Sequence, residues 1–209
     1  LRQLKRLRIT FFRATDIEFV SRLINLEELV FEYFSGFSDL SPLSKLTKLK
    51  SIHFENLRKV SNFDGLRGLD GLKYLHIDGT LDWNQPIDNF DFLTGLPNLE
   101  VFSLGWITNK SAYPAFKSVL NLKRLKKIKI IRNTFPTEEF AFLEAALPNV
   151  EGASWILCRE YQGWIDFLGK RAGRVKCTNP EVKNKCEEYI RKYEGLKLEA
   201  ENLIKSYGG

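Results

Sequence analysis

The strongest constraint on this chain is internal self-similarity: the pattern apolar-x-x-apolar-x-apolar recurs seven times. It appears as Leu4/Leu7/Ile9, Leu26/Leu29/Phe31, Leu49/Ile52/Phe54 and Leu72/Leu75/Ile77. It continues as Leu99/Phe102/Leu104, Leu125/Ile128/Ile130 and, degenerately, Val150/Ala153/Trp155. First positions are separated by 22, 23, 23, 27, 26 and 25 residues. The alternation in the last three places is that of a short half-buried strand. Upstream of each strand the apolar spacing switches to three, as in Leu40, Leu43, Leu46, Leu49 and in Phe63, Leu66, Leu69, Leu72. That spacing suits a tight helical return. One strand and one return cannot bury their apolar sides alone, whereas stacked copies share a continuous core.

On these residues the chain resembles the leucine-rich-repeat family over roughly residues 1–158. Residues 38–49, Ser-Asp-Leu-Ser-Pro-Leu-Ser-Lys-Leu-Thr-Lys-Leu, are similar to the short repeats of bacterial internalins and of a eukaryotic phosphatase-regulator class. The resemblance implies an α/β solenoid of about seven repeats, with a curved parallel sheet on the concave side. It implies 3₁₀ turns passing to short helices on the convex side, and a protein-binding role. Copies of 25–27 residues leave room for a true helix, and residues 140–147 read as one, with Thr137 as N-cap and Glu138 and Glu139 in its first turn. The family usually places an asparagine three residues beyond the strand. Here those places hold Phe12, Phe34, Leu57, Thr80, Ile107, Asn133 and Cys158, so apolar packing should largely replace the amide ladder.

The repeat stops after Trp155, and residues 159–209 form a separate C-terminal cap. Tyr161, Trp164, Phe167 and Leu168, spaced by three and four, are expected to lid the solenoid's open end. Residues 169–174 are a glycine-containing basic turn that lacks the spacing of a phosphate loop. Asn179-Pro180-Glu181 starts a helix of about residues 180–207. Its apolar seam, Val182, Cys186, Tyr189, Tyr193, Leu196, Ala200, Leu203 and Tyr207, alternates steps of four and three. Such a seam either folds back as a helical cap or receives a partner helix or a second copy, making a homodimer.

Composition narrows the function. With 44% hydrophobic and 28% charged residues the chain is globular, and no apolar stretch approaches a bilayer span. Three cysteines and two histidines satisfy neither a disulfide scaffold nor a zinc spacing, and no nucleophile motif accompanies them. The expectation is a non-enzymatic protein without cofactor or metal, in a reducing, cytoplasmic setting. Methionine is absent, so position 1 is treated as a cut end. The net charge of +6 is distributed in blocks, not along a groove, which disfavours nucleic acid.

Strand register names the outward side chains. Residues flanking the middle apolar position point away from the core. One column is Arg6, Glu28, Ser51, Tyr74, Val101, Lys127 and Gly152; the next is Arg8, Val30, His53, His76, Ser103, Lys129 and Ser154. The third is Thr10, Glu32, Glu55, Asp78, Gly105, Ile131 and Ile156. Glu32, Glu55 and Asp78 thus form an acidic row beside His53 and His76, and like charges on adjacent strands repel unless a cation relieves them. A basic protein segment is the favoured cation, with Tyr74 and Trp106 as apolar anchors; a metal ion on His53, His76, Glu55 and Asp78 is the lesser reading. Tyr33 and Trp83 are expected near the same rim.

Overall fold

A computed structural model describes residues 3–207, and the chain resolves into two compact units, Leu1–Ile131 and Arg132–Gly209. The first unit is built on strands β1 (Arg6–Thr10), β2 (Glu28–Glu32), β3 (Ser51–Glu55) and β4 (Tyr74–Asp78). It continues with β5 (Gln85–Ile87), β6 (Val101–Gly105), β7 (Ile107–Asn109) and β8 (Lys127–Ile130). Six of these make one parallel sheet in the order β1-β2-β3-β4-β6-β8. Equal motif positions pair: Leu7 with Leu29, Leu29 with Ile52, Ile52 with Leu75, Leu75 with Phe102, and Phe102 with Ile128. This is the stack of parallel coils that the repeat predicts.

The returns explain the spacing of three. Leu43 N–H donates to the Leu40 carbonyl, Leu46 to Leu43 and Leu49 to Leu46, so each buried leucine also closes a 3₁₀ bond. Every third side chain of such a turn faces the same way, here onto the core. An Asp or Asn two residues ahead starts four of the turns. Asp16 Oδ1 accepts from Glu18 N, Asp39 from Ser41, Asn62 from Asp64 and Asn89 from Asp91, at 2.7–3.0 Å. These side chains satisfy donors that the turn leaves open.

Two expectations are corrected in these units. In the 27- and 26-residue copies the extra residues build no convex helix: the returns Asp91–Gly95 and Lys117–Asn121 stay 3₁₀, and the added length forms a second, two-stranded parallel sheet of β5 and β7, whereas the 25-residue copy carries the expected helix as α1 (Thr137–Ala146). The seventh motif makes no strand of the main sheet; no named strand lies between helix α1 (Thr137–Ala146) and β9 (Cys158–Tyr161). Tyr161, Trp164 and Phe167 lie on β9 and β10 (Trp164–Phe167) of an antiparallel sheet completed by β11 (Arg174–Lys176). The physical reason is the Gln162-Gly163 pair, both at positive φ (50° and 78°), which folds a two-residue hairpin.

In the second unit Thr137 is the first residue of α1 and makes no cap; its hydroxyl instead donates to the Leu168 carbonyl at 2.9 Å. Helix α2 (Val182–Tyr207) packs along α1. Its seam is turned inward: Tyr193 and Ala200 are buried, Tyr193 donates to Glu144 at 2.8 Å, Tyr189 bonds the Leu168 carbonyl, and Phe167 stacks on Tyr189. Val182, Leu196 and Leu203 are half-buried along the same line. Intramolecular packing therefore occupies the seam that the assembly reading needed. Gly195 sits in this helix with nothing within 4 Å of where a Cβ would be. Gly195→Ala is expected to stabilise the protein by about 1 kcal/mol, read as a raised urea midpoint at unchanged slope.

Candidate functional site on the sheet face

The register pairs the columns across the six strands, while Gly152, Ser154 and Ile156 lie outside the sheet: His53 pairs with His76, Glu32 with Glu55, and Glu55 with Asp78. The His53 and His76 ring centroids are 4.4 Å apart. His53 Nε2 lies 3.9 Å from Glu55 Oε2, and His76 Nε2 lies 3.3 Å from Asp78 Oδ2. Glu32, His53, Glu55, His76 and Asp78 thus form one cluster on three adjacent strands.

The row is not uniformly uncompensated. Arg8 on β1 holds Glu32 through both oxygens, at 2.6 and 2.9 Å, and Arg6 pairs with Glu28 at 3.1 Å. Lys127 and Lys129 stand on β8, across Val101 and Ser103, two strands from the acidic residues of β4 and so about 9–10 Å away. They are outside the cluster. What the first strand leaves unneutralised is Glu55 and Asp78. Asp78 Oδ1 is screened from solvent without a hydrogen bond. Its carboxylate lies flat over Gly105, where a Cβ would sit 2.5 Å from Oδ1, so a side chain at that position would displace it.

A second charged row was missed by the sequence reading. The residues just before the strands pair in triplets: Glu27 lies between Lys5 (3.2 Å) and Lys50 (2.6 Å), and Glu100 between Lys73 (3.2 Å) and Lys126 (2.6 Å). Hydrogen bonds from Lys50 to Glu27 and from Lys126 to Glu100 hold both carboxyls below their ordinary range. The signal was available at the motif spacing, one place ahead of the first outward column.

The rim is aromatic and conformationally unusual. The residue after the strand has positive φ at Phe11 (52°), Tyr33 (50°), Asn56 (54°) and Trp106 (47°). Each of the four non-glycine residues is in a region that costs L side chains energy, most of all bulky ones. The strand ladder imposes it: Phe11 N–H donates to the Glu32 carbonyl, Tyr33 to Glu55 and Asn56 to Asp78 before the chain turns away. Phe11, 81% exposed, stacks on Tyr33 at 4.9 Å, and Trp106 is 37% exposed. Tyr74 is half-buried in the first column. Loss of hydration, followed by the neighbouring Glu55, pushes the Tyr33 phenol up.

Burial, reinforced by the adjacent His76, holds His53 below its ordinary value, while Glu32 and Asp78 pull the other way. Its ring faces Arg8 on β1, Glu32 on β2, Glu55 on its own strand, and His76 and Asp78 on β4. A depressed folded-state pKa means the unfolded chain takes the proton first. The stability tied to neutral His53 is therefore complete above about pH 6.5 and is lost as pH falls through the lower folded value. Melting temperature is expected to drop between pH 7 and pH 5, less steeply in His53→Gln; equal slopes would contradict this assignment.

Among the described residues no helix is long and apolar enough to cross a membrane. No protein-family model matches the sequence, and no curated protein matches it. Among solved structures the chain is similar to internalin C2 (inlC2) from Listeria monocytogenes str. 4b F2365, at 22% identity and TM-score 0.44, over 69% of this chain and 68% of that one. It is also similar to internalin inlF of the same strain, at 26% identity and TM-score 0.39, over 65% of this chain and 43% of that one. This chain thus spans less than half of the second neighbour's length.

Proposed function

We propose that this chain is a non-enzymatic protein-interaction module whose outward sheet face docks a basic segment of a partner protein. The observation that carries the reading is the Glu32–Glu55–Asp78 row, of which Arg8 neutralises only the first member, bordered by the aromatic rim. Lysine or arginine side chains from a partner would relieve the repulsion between Glu55 and Asp78, which face each other across adjacent strands. Tyr33, Tyr74 and Trp106 supply the flat amphipathic surface on which such contacts gain affinity. The absence of a nucleophile motif supports a binding role, and three free cysteines support a reducing, cytoplasmic setting.

The test is fluorescence anisotropy with a labelled arginine-rich peptide in a chelator-containing buffer. Glu55→Lys/Asp78→Lys is expected to weaken binding by at least tenfold, with Lys127→Glu/Lys129→Glu leaving it within about twofold, because rim charges two strands away are screened. Unchanged affinity in the first variant would overturn the reading.

A further inference from the structure

Within the sheet-face cluster, Glu32, His53 and Glu55 each offer one ligand atom, and these atoms all lie within 4.8 Å of one another. His53 Nε2 adds a second observation: it is screened from solvent and makes no hydrogen bond, yet lies 3.9 Å from Glu55 Oε2. A ring nitrogen so placed keeps a lone pair or proton for Glu55, a water or an ion. We infer that Glu32, His53 and Glu55 form a site for a divalent cation of the zinc class, with the His76–Asp78 pair beside it.

The donor set selects the ion. Imidazole nitrogen with carboxylate oxygen suits zinc and its neighbours, whereas calcium takes six to eight oxygens. Bonds of about 2.0–2.1 Å in a tetrahedral arrangement put neighbouring ligand atoms about 3.3–3.4 Å apart. The His53–Glu55 separation closes to that value with a side-chain adjustment of about half an ångström. Arg8 holds Glu32 from behind through both oxygens, the outer-shell arrangement that orients a ligating carboxylate. Three protein ligands leave a position for water. The ion would neutralise carboxylates that a basic segment also uses, so the two occupants compete; the inference stands whether or not such a segment binds.

The experiment titrates Zn²⁺ alone into the full chain at neutral pH, with cysteines reduced, followed by calorimetry and by the histidine ring resonances in NMR. One ion per chain is expected, with the His53 resonances shifting in the unaltered protein. His53→Gln and Glu55→Gln are each expected to lower affinity at least tenfold, while Ca²⁺ gives no heat. Co²⁺ should give a spectrum without a thiolate charge-transfer band, separating this cluster from Cys158, Cys177 and Cys186. Absence of a His53 shift, a thiolate band, or affinity unaffected by both substitutions would overturn the site. Peptide binding measured with chelator reports the docking reading separately.

Discussion

Phe90→Ala is expected to cost about 3–5 kcal/mol, the range for deleting a fully buried aromatic ring whose surroundings cannot collapse. Phe90 is 0% exposed and lies in a file of rings: stacked on Phe116 at 4.5 Å, with Phe92 and Phe102 at 6.3 and 6.4 Å. Those neighbours come from the same return, from β6 and from the next return, so one substitution loosens two adjacent coils. In a stack where each coil is held mainly by the next, a gap there propagates to both sides. The contrast is Phe12, which occupies a ladder place on the edge coil and is 55% exposed. Phe12→Ala should change stability by no more than about 0.5 kcal/mol, the scale of ordinary surface substitutions. Urea unfolding of the two variants side by side checks both values, and equal losses would mean the edge coil is as tightly packed as the interior.

Gln85→Leu is expected to cost on the order of 3 kcal/mol although the volume hardly changes. Gln85 is 1% exposed; its Oε1 accepts from Leu57 N–H at 2.9 Å and its Nε2 donates to the Val60 carbonyl at 2.7 Å and the Pro86 carbonyl at 3.1 Å. A leucine leaves the Leu57 and Val60 groups buried without partners, at about 1–3 kcal/mol for each orphaned group. Gln85→Glu separates this from loss of packing: it keeps the acceptor for Leu57 N–H but removes the donor for Val60. Its unfolding midpoint should fall below that of the unaltered chain, and an unchanged midpoint in both variants would remove Gln85 from the framework.

That glutamine shows how far the sequence was legible. The family-like asparagine places hold Phe34, Leu57 and Ile107, all buried, as the apolar-packing expectation required. The hydrogen bonds they cannot make still have to be made. A side chain from the neighbouring coil, 28 positions away, makes them for Leu57, and Asn109 does the same for the Ile87 carbonyl at 2.8 Å. No local pattern announces such a donor, because β5 and β7 exist only once two long copies lie side by side.

The site divides along the same line. The repeat period alone determined which residues share a column, since parallel strands one coil apart put equal motif positions next to each other; this is why His53 faces His76 and Glu55 faces Asp78. Tertiary structure decided which of those charges remain open. Arg8 reaches across to Glu32, while Glu27 and Glu100 are shared between lysines one coil on either side. It also decided that the C-terminal seam lies against α1 and that aromatic residues take positive φ at the strand ends. Period is a property of the chain and survives in one dimension. Charge compensation, backbone strain and the choice between two faces of a helix depend on side chains meeting across coils or between elements, and only folding brings them together.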